Sequence, residues 1–246
     1  MFDIIERRLR GKGVVTEPLN VLQGMGHAKA PMASKKCDLC GLCVPACPTS
    51  AIITDGDWQV DAGRCLWCGD CQSACPKDAI SFSRDCPAVT DRSALVLKRN
   101  SPATGRPLLN EEMRKVLGSS LSIREVDAGS CNGCEVEVNN LSNPFYDLDR
   151  FGIKIVASPR HADMLLVTGP VTRNMEGALM KTYLAAAEPK LVVALGTCAI
   201  SGCPFGGSYA AGSGVSDVLP ITLFIPGCPP SPWSVILALL EALGRQ

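Results

Sequence analysis

Residues 37–48 read CDLCGLCVPACP, and residues 65–76 repeat the pattern as CLWCGDCQSACP. Both stretches have the spacing C-x2-C-x2-C-x3-C-P, and each is followed by an Ala-Ile pair. Three cysteines at this spacing wrap a tight loop around one face of a [4Fe–4S] cubane, and the fourth cysteine ligates the neighbouring cluster. The repeat therefore predicts two [4Fe–4S] clusters within one small domain.

The exchange of the fourth cysteine divides the eight thiols into two groups. The first cysteine group comprises Cys37, Cys40, Cys43 and Cys75, and the second cysteine group comprises Cys65, Cys68, Cys71 and Cys47. Structural zinc is the alternative, but zinc sites prefer paired C-x2-C motifs with longer gaps between them. The third cysteine in each block and the Cys-Pro ending argue against zinc. Over residues 34–85 the chain resembles bacterial-type two-cluster ferredoxins, which implies a ferredoxin-like α+β domain.

Composition narrows the class of protein. The 246 residues include 24 Lys and Arg against 24 Asp and Glu, and this balance argues against a nucleic-acid partner. No secretory signal is visible, and the longest apolar run, from residue 233 to 240, is too short to span a bilayer. We therefore expect a cytoplasmic, reducing setting in which the 14 cysteines hold metal rather than form disulfides.

The chain divides into four parts by composition. Residues 1–33 form an extension whose apolar positions predict a short docking helix, and residues 34–85 hold the ferredoxin-like domain. A mixed connector follows at residues 86–120 and contains one helix candidate, Glu111–Leu117. Residues 121–246 form the last part.

This last part alternates between strand-like and helix-like segments, as an α/β domain does. Its apolar runs are continuous rather than alternating, which suits a parallel sheet covered on both faces. The predicted strands are Leu121–Val126, Ile153–Ala157, Met164–Thr168, Leu191–Leu195 and Ile221–Ile225, and the predicted helices are Glu135–Leu141, Met175–Ala187 and Trp233–Leu243.

Four cysteines of the α/β part follow the ends of predicted strands. Cys131 and Cys134 follow the first strand, Cys198 follows Leu191–Leu195, and Cys228 follows the last strand. Loops that leave the carboxyl ends of parallel strands converge on one crevice. We therefore expect these four thiols, the third cysteine group, to meet around one further cluster.

Five short motifs of this part, taken in order, resemble a known family. They are Cys131-Asn-Gly-Cys-Glu135, Ser158-Pro-Arg-His-Ala-Asp163, Gly169-Pro-Val-Thr172, Gly196-Thr-Cys198 and Pro226-Gly-Cys-Pro-Pro230. The likeness is to the small subunit of energy-converting, formate-hydrogenlyase-type (group 4) [NiFe] hydrogenases, which belongs with the 20 kDa subunit of NADH:quinone oxidoreductase. It implies a flavodoxin-like domain in which Cys131, Cys134, Cys198 and Cys228 ligate the cluster nearest the active site.

Two details favour the hydrogenase branch of that family. The quinone-reducing branch has adjacent cysteines in the first motif and usually Gln where His161 stands, whereas this chain has Cys-x2-Cys and His161. Cys203 departs from the family pattern and competes with Cys198 as the third ligand, although the Gly-Thr-Cys context favours Cys198. Cys86 is interpreted, like Cys203, as a buried thiol without a ligand role.

The resemblance implies an electron-transfer subunit with three [4Fe–4S] clusters and no catalytic residue of its own. The reaction 2H⁺ + 2e⁻ ⇌ H₂ would occur at a Ni–Fe site in a separate large subunit, within a membrane-associated complex on the cytoplasmic side. A ferredoxin or a dehydrogenase would exchange electrons with the chain. The alternatives are a complex-I-like subunit that reduces a quinone or another acceptor without nickel, and a cluster-bearing assembly or sensing module.

Overall fold

The computed structural model describes residues 28–99, 109–117 and 120–245. The predicted N-terminal docking helix lies outside the described residues. Within these ranges, no helix combines the length and the apolar character needed to cross a bilayer.

The N-terminal part consists of short elements around the two cysteine blocks. They are β1 (Ala28–Ala33), α1 (Cys43–Ala46), β2 (Ile52–Ile53), β3 (Gln59–Asp61), α2 (Asp70–Ser73), β4 (Ile80–Cys86) and β5 (Val96–Lys98). β1 pairs with β4 antiparallel, and β2, β3 and β5 form a second antiparallel sheet in that order. β5 belongs to the predicted connector, so residues beyond 85 also build this part.

The two cysteine blocks impose matching backbone turns. Gly41 and Gly69 stand at the same position of the two blocks and have φ of 77° and 86°, a region where a Cβ is strained. Leu39 and Trp67 also match, with φ of 61° and 55°. The internal repeat of the sequence is therefore a repeat of backbone conformation.

The C-terminal part contains a five-stranded parallel sheet with helices, so it is an α/β domain. Its elements, with the connector helix, are α3 (Glu111–Leu117), β6 (Leu121–Asp127), α4 (Gly133–Asn140), β7 (Ile153–Ile155), β8 (Met164–Thr168), α5 (Arg173–Ala185), β9 (Leu191–Leu195), α6 (Gly196–Ser201), β10 (Leu223–Ile225) and α7 (Pro232–Leu243). The sheet order is β10-β9-β8-β6-β7. Counted from β6 as the first strand, this is 2-1-3-4-5, a common doubly wound order.

Most predicted elements of this part are confirmed to within two residues. The strands Met164–Thr168 and Leu191–Leu195 and the helix Glu111–Leu117 have the predicted bounds. Asn110 caps that helix, because its side-chain oxygen accepts a hydrogen bond from the Met113 amide at 2.8 Å. The sequence does not predict the short helix α6.

The sheet is covered on both faces, as its continuous apolar strands predict. Leu165 on β8 packs in the same cluster as Leu179 of α5, whereas the next residue, Leu166, packs with Val138 of α4 and with α7. Alternation along a strand sends neighbouring side chains to opposite faces. Two cores therefore sandwich the sheet.

The N-terminal part shares one of these cores. Trp58 and Val60 belong to the same buried cluster as Leu165 and Ile200. The connector adds a backbone link, because the Val89 amide donates to the Phe224 carbonyl at 3.0 Å and the Phe224 amide donates back at 2.8 Å. The two cysteine-bearing parts therefore pack directly against each other.

Candidate metal centres

The cysteines predicted as the first group lie together in space. One cavity in the N-terminal part is lined by Cys37, Cys40, Cys43 and Cys75. Three of these residues come from the first block and Cys75 comes from the second, so the fourth cysteine crosses over as the spacing predicts. Cys43 is buried at the start of α1, whereas Cys40 is exposed.

The second cysteine group lines a second cavity. Its lining includes Cys47, Cys65, Cys68 and Cys71. Burial raises the pKa of the Cys65 thiol to about 12 and the pKa of the Cys71 thiol to about 11. Neighbouring thiolates contribute to both rises after burial, because like charges disfavour ionisation. Cys65 and Cys71 therefore stay protonated until a cation binds.

Backbone N–H groups point at three sulfur atoms of these groups. The Ala51 amide donates to Cys47 Sγ at 3.3 Å, and at the matching position of the second block the Ala79 amide donates to Cys75 Sγ, also at 3.3 Å. The Trp67 amide donates to Cys65 Sγ at 3.4 Å. Such bonds favour the charged, ligating form of a thiol and tune the potential of a bound cluster.

Two observations bear on what the first cysteine group could hold. The fully buried Trp58 indole lies against Cys43, and hydrogen bonding from it lowers the pKa that burial raises there. Within the described ranges, no three His, Cys, Asp or Glu side chains converge closely enough to hold a single metal ion. Four thiols that line one cavity, with an indole N–H donor beside them, suit a cubane with its own sulfur acceptors.

The third cysteine group assembles from loops distant in sequence. Cys131 follows β6, Cys134 lies in the first turn of α4, Cys198 lies in α6 and Cys228 follows β10. These elements begin or end at the carboxyl edge of the parallel sheet. Gly196 (φ 86°) allows the approach, because a Cβ at that residue would lie 2.7 Å from Cys134 Sγ.

The thiols of this group act on one another electrostatically. Burial raises the pKa of Cys134 well above its usual range, and Glu135, Cys198, Cys228 and Cys131 raise it further, in that order. The pKa of Cys198 is likewise raised to about 12. Burial is the largest cause, and the charges of Cys228 and Cys131 are the next largest. These mutual effects show that the four thiols lie near one another.

Four other residues singled out from the sequence lie around these centres. Cys203 acts on Cys198 more weakly than Cys228 and Cys131 do. Cys86 is a buried free thiol whose pKa is raised to about 12 by burial and then by Cys65. Glu135 is buried and both its carboxylate oxygens lack a partner among the described residues, whereas His161 is exposed.

Trp67 is half-buried beside Cys68. Its indole N–H donates to the Lys29 carbonyl of β1 at 3.0 Å. The indole therefore links the second block to the sheet formed by β1 and β4.

The second cysteine group adjoins both of the others. Cys43 of the first group is among the charges that raise the pKa of Cys71 in the second, after burial and nearer thiols. Burial raises the pKa of Cys228 in the third group, and Cys68 of the second group adds to that effect after Cys131. The second group therefore lies between the other two.

Two family models match separate segments of the chain. Residues 36–79 match the model of the 4Fe-4S dicluster domain, so the N-terminal part carries iron–sulfur clusters. Residues 131–242 match the model of the NADH ubiquinone oxidoreductase 20 kDa subunit. The chain is also 40% identical over 134 residues to the probable membrane-bound hydrogenase subunit mbhJ of Pyrococcus furiosus, covering 54% of this chain and 80% of the relative.

The chain belongs to the NADH ubiquinone oxidoreductase 20 kDa subunit family. Within this oxidoreductase family it is 40% identical over 136 residues to formate hydrogenlyase subunit 7 of Escherichia coli, a match that covers 55% of this chain and 53% of the relative. It is 44% identical over 109 residues to an NADH-quinone oxidoreductase subunit of Carboxydothermus hydrogenoformans, covering 44% and 66% respectively. The chain thus spans about half the length of the formate hydrogenlyase subunit.

Proposed function

We propose that this chain is the electron-transfer subunit of a hydrogenase-type oxidoreductase complex, in which each of the three cysteine groups holds one [4Fe–4S] cluster. The observation that carries the proposal is that the second four-thiol group adjoins both the first and the third. A row of closely placed one-electron sites suits a relay better than it suits a catalytic centre.

The residues of this chain would hold the clusters, orient their sulfur ligands and shield them from water. The twelve grouped thiols would hold the clusters, and Cys198 is the better third ligand of its group because it, unlike Cys203, is among the main charges acting on Cys134. A bound [4Fe–4S] cluster accepts or donates one electron at a time. The amides of Ala51 and Ala79 orient the two crossing sulfurs, and the buried Trp58 ring excludes water from the first group.

The α/β part would take the flavodoxin-like form that its strand order indicates. In doubly wound sheets, ligands bind at the carboxyl ends of the strands. The third group occupies that edge in this chain, and Cys131 of this group is exposed. This end of the row therefore suits contact with a catalytic partner.

The proposed partner is a large subunit with a Ni–Fe site, where 2H⁺ + 2e⁻ ⇌ H₂ takes place. The likeness to a formate hydrogenlyase subunit and to a membrane-bound hydrogenase subunit supports it, as does the Cys-x2-Cys spacing of Cys131 and Cys134. A ferredoxin or a dehydrogenase would exchange electrons at the first group, within a complex on the cytoplasmic face of a membrane.

A second candidate is a complex-I-like subunit that passes electrons to a quinone or another acceptor without nickel. The 44% identity to the NADH-quinone oxidoreductase subunit of Carboxydothermus hydrogenoformans favours it. Hydrogen-dependent reduction of a viologen dye by the purified complex decides between the two. Dye reduction with nickel in the complex supports the hydrogenase assignment, and quinone reduction without nickel supports the alternative.

The cluster content is tested on the full chain prepared without oxygen. We expect about twelve iron and twelve acid-labile sulfide atoms per chain, because each cubane has four of each. EPR spectra of the reduced protein should show interacting clusters. A chain that binds zinc, or about four iron atoms, contradicts the proposal.

A further inference from the structure

The loop that leads into the second cysteine group lies against helix α6 of the α/β part. Thr197 Oγ1 donates a hydrogen bond to the Cys65 carbonyl at 2.7 Å, and Ser201 Oγ donates to the Gly63 carbonyl at 2.8 Å. The two hydroxyls are four residues apart and therefore share one face of the helix. Two side chains of one part thus hold two carbonyls of the other.

Packing and further hydrogen bonds hold the loop around Gly63 in one position against α6. A Cβ on Gly63 would lie 2.8 Å from the Ile200 side chain, so the backbone of the loop touches α6 directly. Asp61 accepts a hydrogen bond from the Gly63 amide at 2.9 Å and pairs with Arg92 at 2.7 Å. The loop therefore has little freedom to move relative to α6.

Thr197 stands where the second and third groups meet. It is 1% exposed, it precedes Cys198, and its amide donates to the Gly227 carbonyl at 2.9 Å, next to Cys228. The same hydroxyl that binds the Cys65 carbonyl also lies 3.2 Å from the Gly227 carbonyl. The buried Thr197 therefore contacts the backbone of the second group at Cys65, and it lies next to Cys198 and Cys228 of the third group.

We propose that the Thr197 hydroxyl carries the electron-transfer route between the second and third groups, an inference that rests on the proposed function. The route runs from Cys65 along its own backbone to its carbonyl, across the hydrogen bond to the Thr197 hydroxyl, and along the backbone to Cys198. One electron leaves the cluster of the second group, which is oxidised, and enters the cluster of the third, which is reduced. No proton moves and no bond breaks.

A competing route passes through space between Cys68 and Cys228. Cys68 adds to the charges that raise the pKa of Cys228, so the two side chains are near each other, but the structure shows no hydrogen bond between them. If the electron crossed this gap through space, the Thr197 hydroxyl would serve only to hold the loop against α6. The two routes therefore predict different results for Thr197 and for Ser201.

The test uses the full chain with its clusters, in four variants. Thr197→Val removes the hydroxyl at nearly constant shape, and Thr197→Ser keeps it. Ser201→Ala removes the other hydroxyl contact with the loop, together with a hydrogen bond from Ser201 Oγ to the Thr197 carbonyl at 3.0 Å, and keeps the bond between Thr197 and Cys65. Thr182→Val removes a hydroxyl of α5 that donates within its own helix, to the Ala178 carbonyl at 2.9 Å.

Each variant is assayed for iron, for the EPR spectrum of each reduced cluster, and for the rate of electron exchange after a photochemical pulse, followed by rapid freeze-quench EPR. We expect Thr197→Val to keep its iron and to slow exchange by about tenfold or more, the scale on which supporting contacts tune metal sites. Thr197→Ser should restore the rate, and Ser201→Ala and Thr182→Val should leave it near that of the wild type.

Three results overturn the inference. An unchanged rate in Thr197→Val assigns transfer to the gap between Cys68 and Cys228. Equal slowing in Thr197→Val and Ser201→Ala would mean that both hydroxyls act only by holding the loop in place. Loss of four iron atoms in Thr197→Val makes the residue a support of the third site alone. Failure of the proposed function appears separately, as missing clusters in the wild-type chain, and it removes the inference as well.

Discussion

The two parts of the molecule build their cysteine groups in different ways. In the N-terminal part, short loops with matched left-handed turns at Gly41 and Gly69 shape the sites locally. In the α/β part, the four cysteines lie on segments that only the parallel sheet brings together. The first two groups therefore depend on local backbone geometry, while the third depends on the integrity of a whole domain.

The largest difference between the two parts should appear in the iron that remains after one cysteine of the third group is replaced. Cys198→Ser removes a thiol of the third group and should cost about four of roughly twelve iron atoms, with the ferredoxin-like clusters retained. Iron analysis and EPR of the reduced chain measure this. Cys203→Ser is the matched control and should keep all the iron. If the losses are reversed, Cys203 is the ligand.

A substitution in the core beneath the parallel sheet should test whether the third group depends on the α/β domain more than the first two groups do. Leu166→Ala on β8 truncates a fully buried side chain, and we expect the free energy of unfolding to fall by about 2–5 kcal/mol. Guanidinium titrations that follow circular dichroism and iron release should show the third cluster lost at lower denaturant concentration than in the wild type. Leu184→Ala, at a position that is 70% exposed, should change little. Equal loss of all clusters at one midpoint would show that the two parts unfold as one unit.

A substitution at the contact between the parts tests whether they depend on each other. Gly63→Ala places a Cβ 2.8 Å from Ile200 and from the Arg92 guanidinium, and we expect a loss of about 1–3 kcal/mol. Thermal unfolding measures the change. Gly177→Ala is the control, because its Cβ meets nothing within 4 Å in α5 and should stabilise the helix by about 0.5–1 kcal/mol. Equal behaviour of the two variants would mean that the loop moves away from α6 without cost.

The smallest predicted effect concerns pH. Burial, followed by the charge of Glu135, raises the pKa of Glu125 above its ordinary value, so its proton is bound more tightly in the folded state. Stability is therefore lost as pH rises from the ordinary value through the raised one, and Glu125→Gln should remove that loss. The variant should gain in melting temperature over the wild type more at pH 8 than at pH 5, whereas the exposed Glu176→Gln should show no such difference. A gain independent of pH would contradict this cause.

Much of this arrangement can be predicted from the sequence, for physical reasons. Continuous apolar runs give β8 and β9 their correct bounds, and the rule that parallel strands end at one edge brings Cys198 and Cys228 together. Helix α6 escapes prediction because its six residues have no side-chain cap and follow directly from the strand. The bond between Thr197 and Cys65 could not be predicted, because it depends on how two parts that are distant in sequence pack against each other.

The backbone link between Val89 and Phe224 has a further consequence. β10 is the last strand of the sheet, and an unpaired outer strand offers free N–H and C=O groups that recruit strands from other molecules. Val89 occupies those groups at the middle of β10. The connector therefore protects the edge of the sheet against intermolecular strand pairing, and an α/β fragment that starts after this segment would gain a tendency to self-associate.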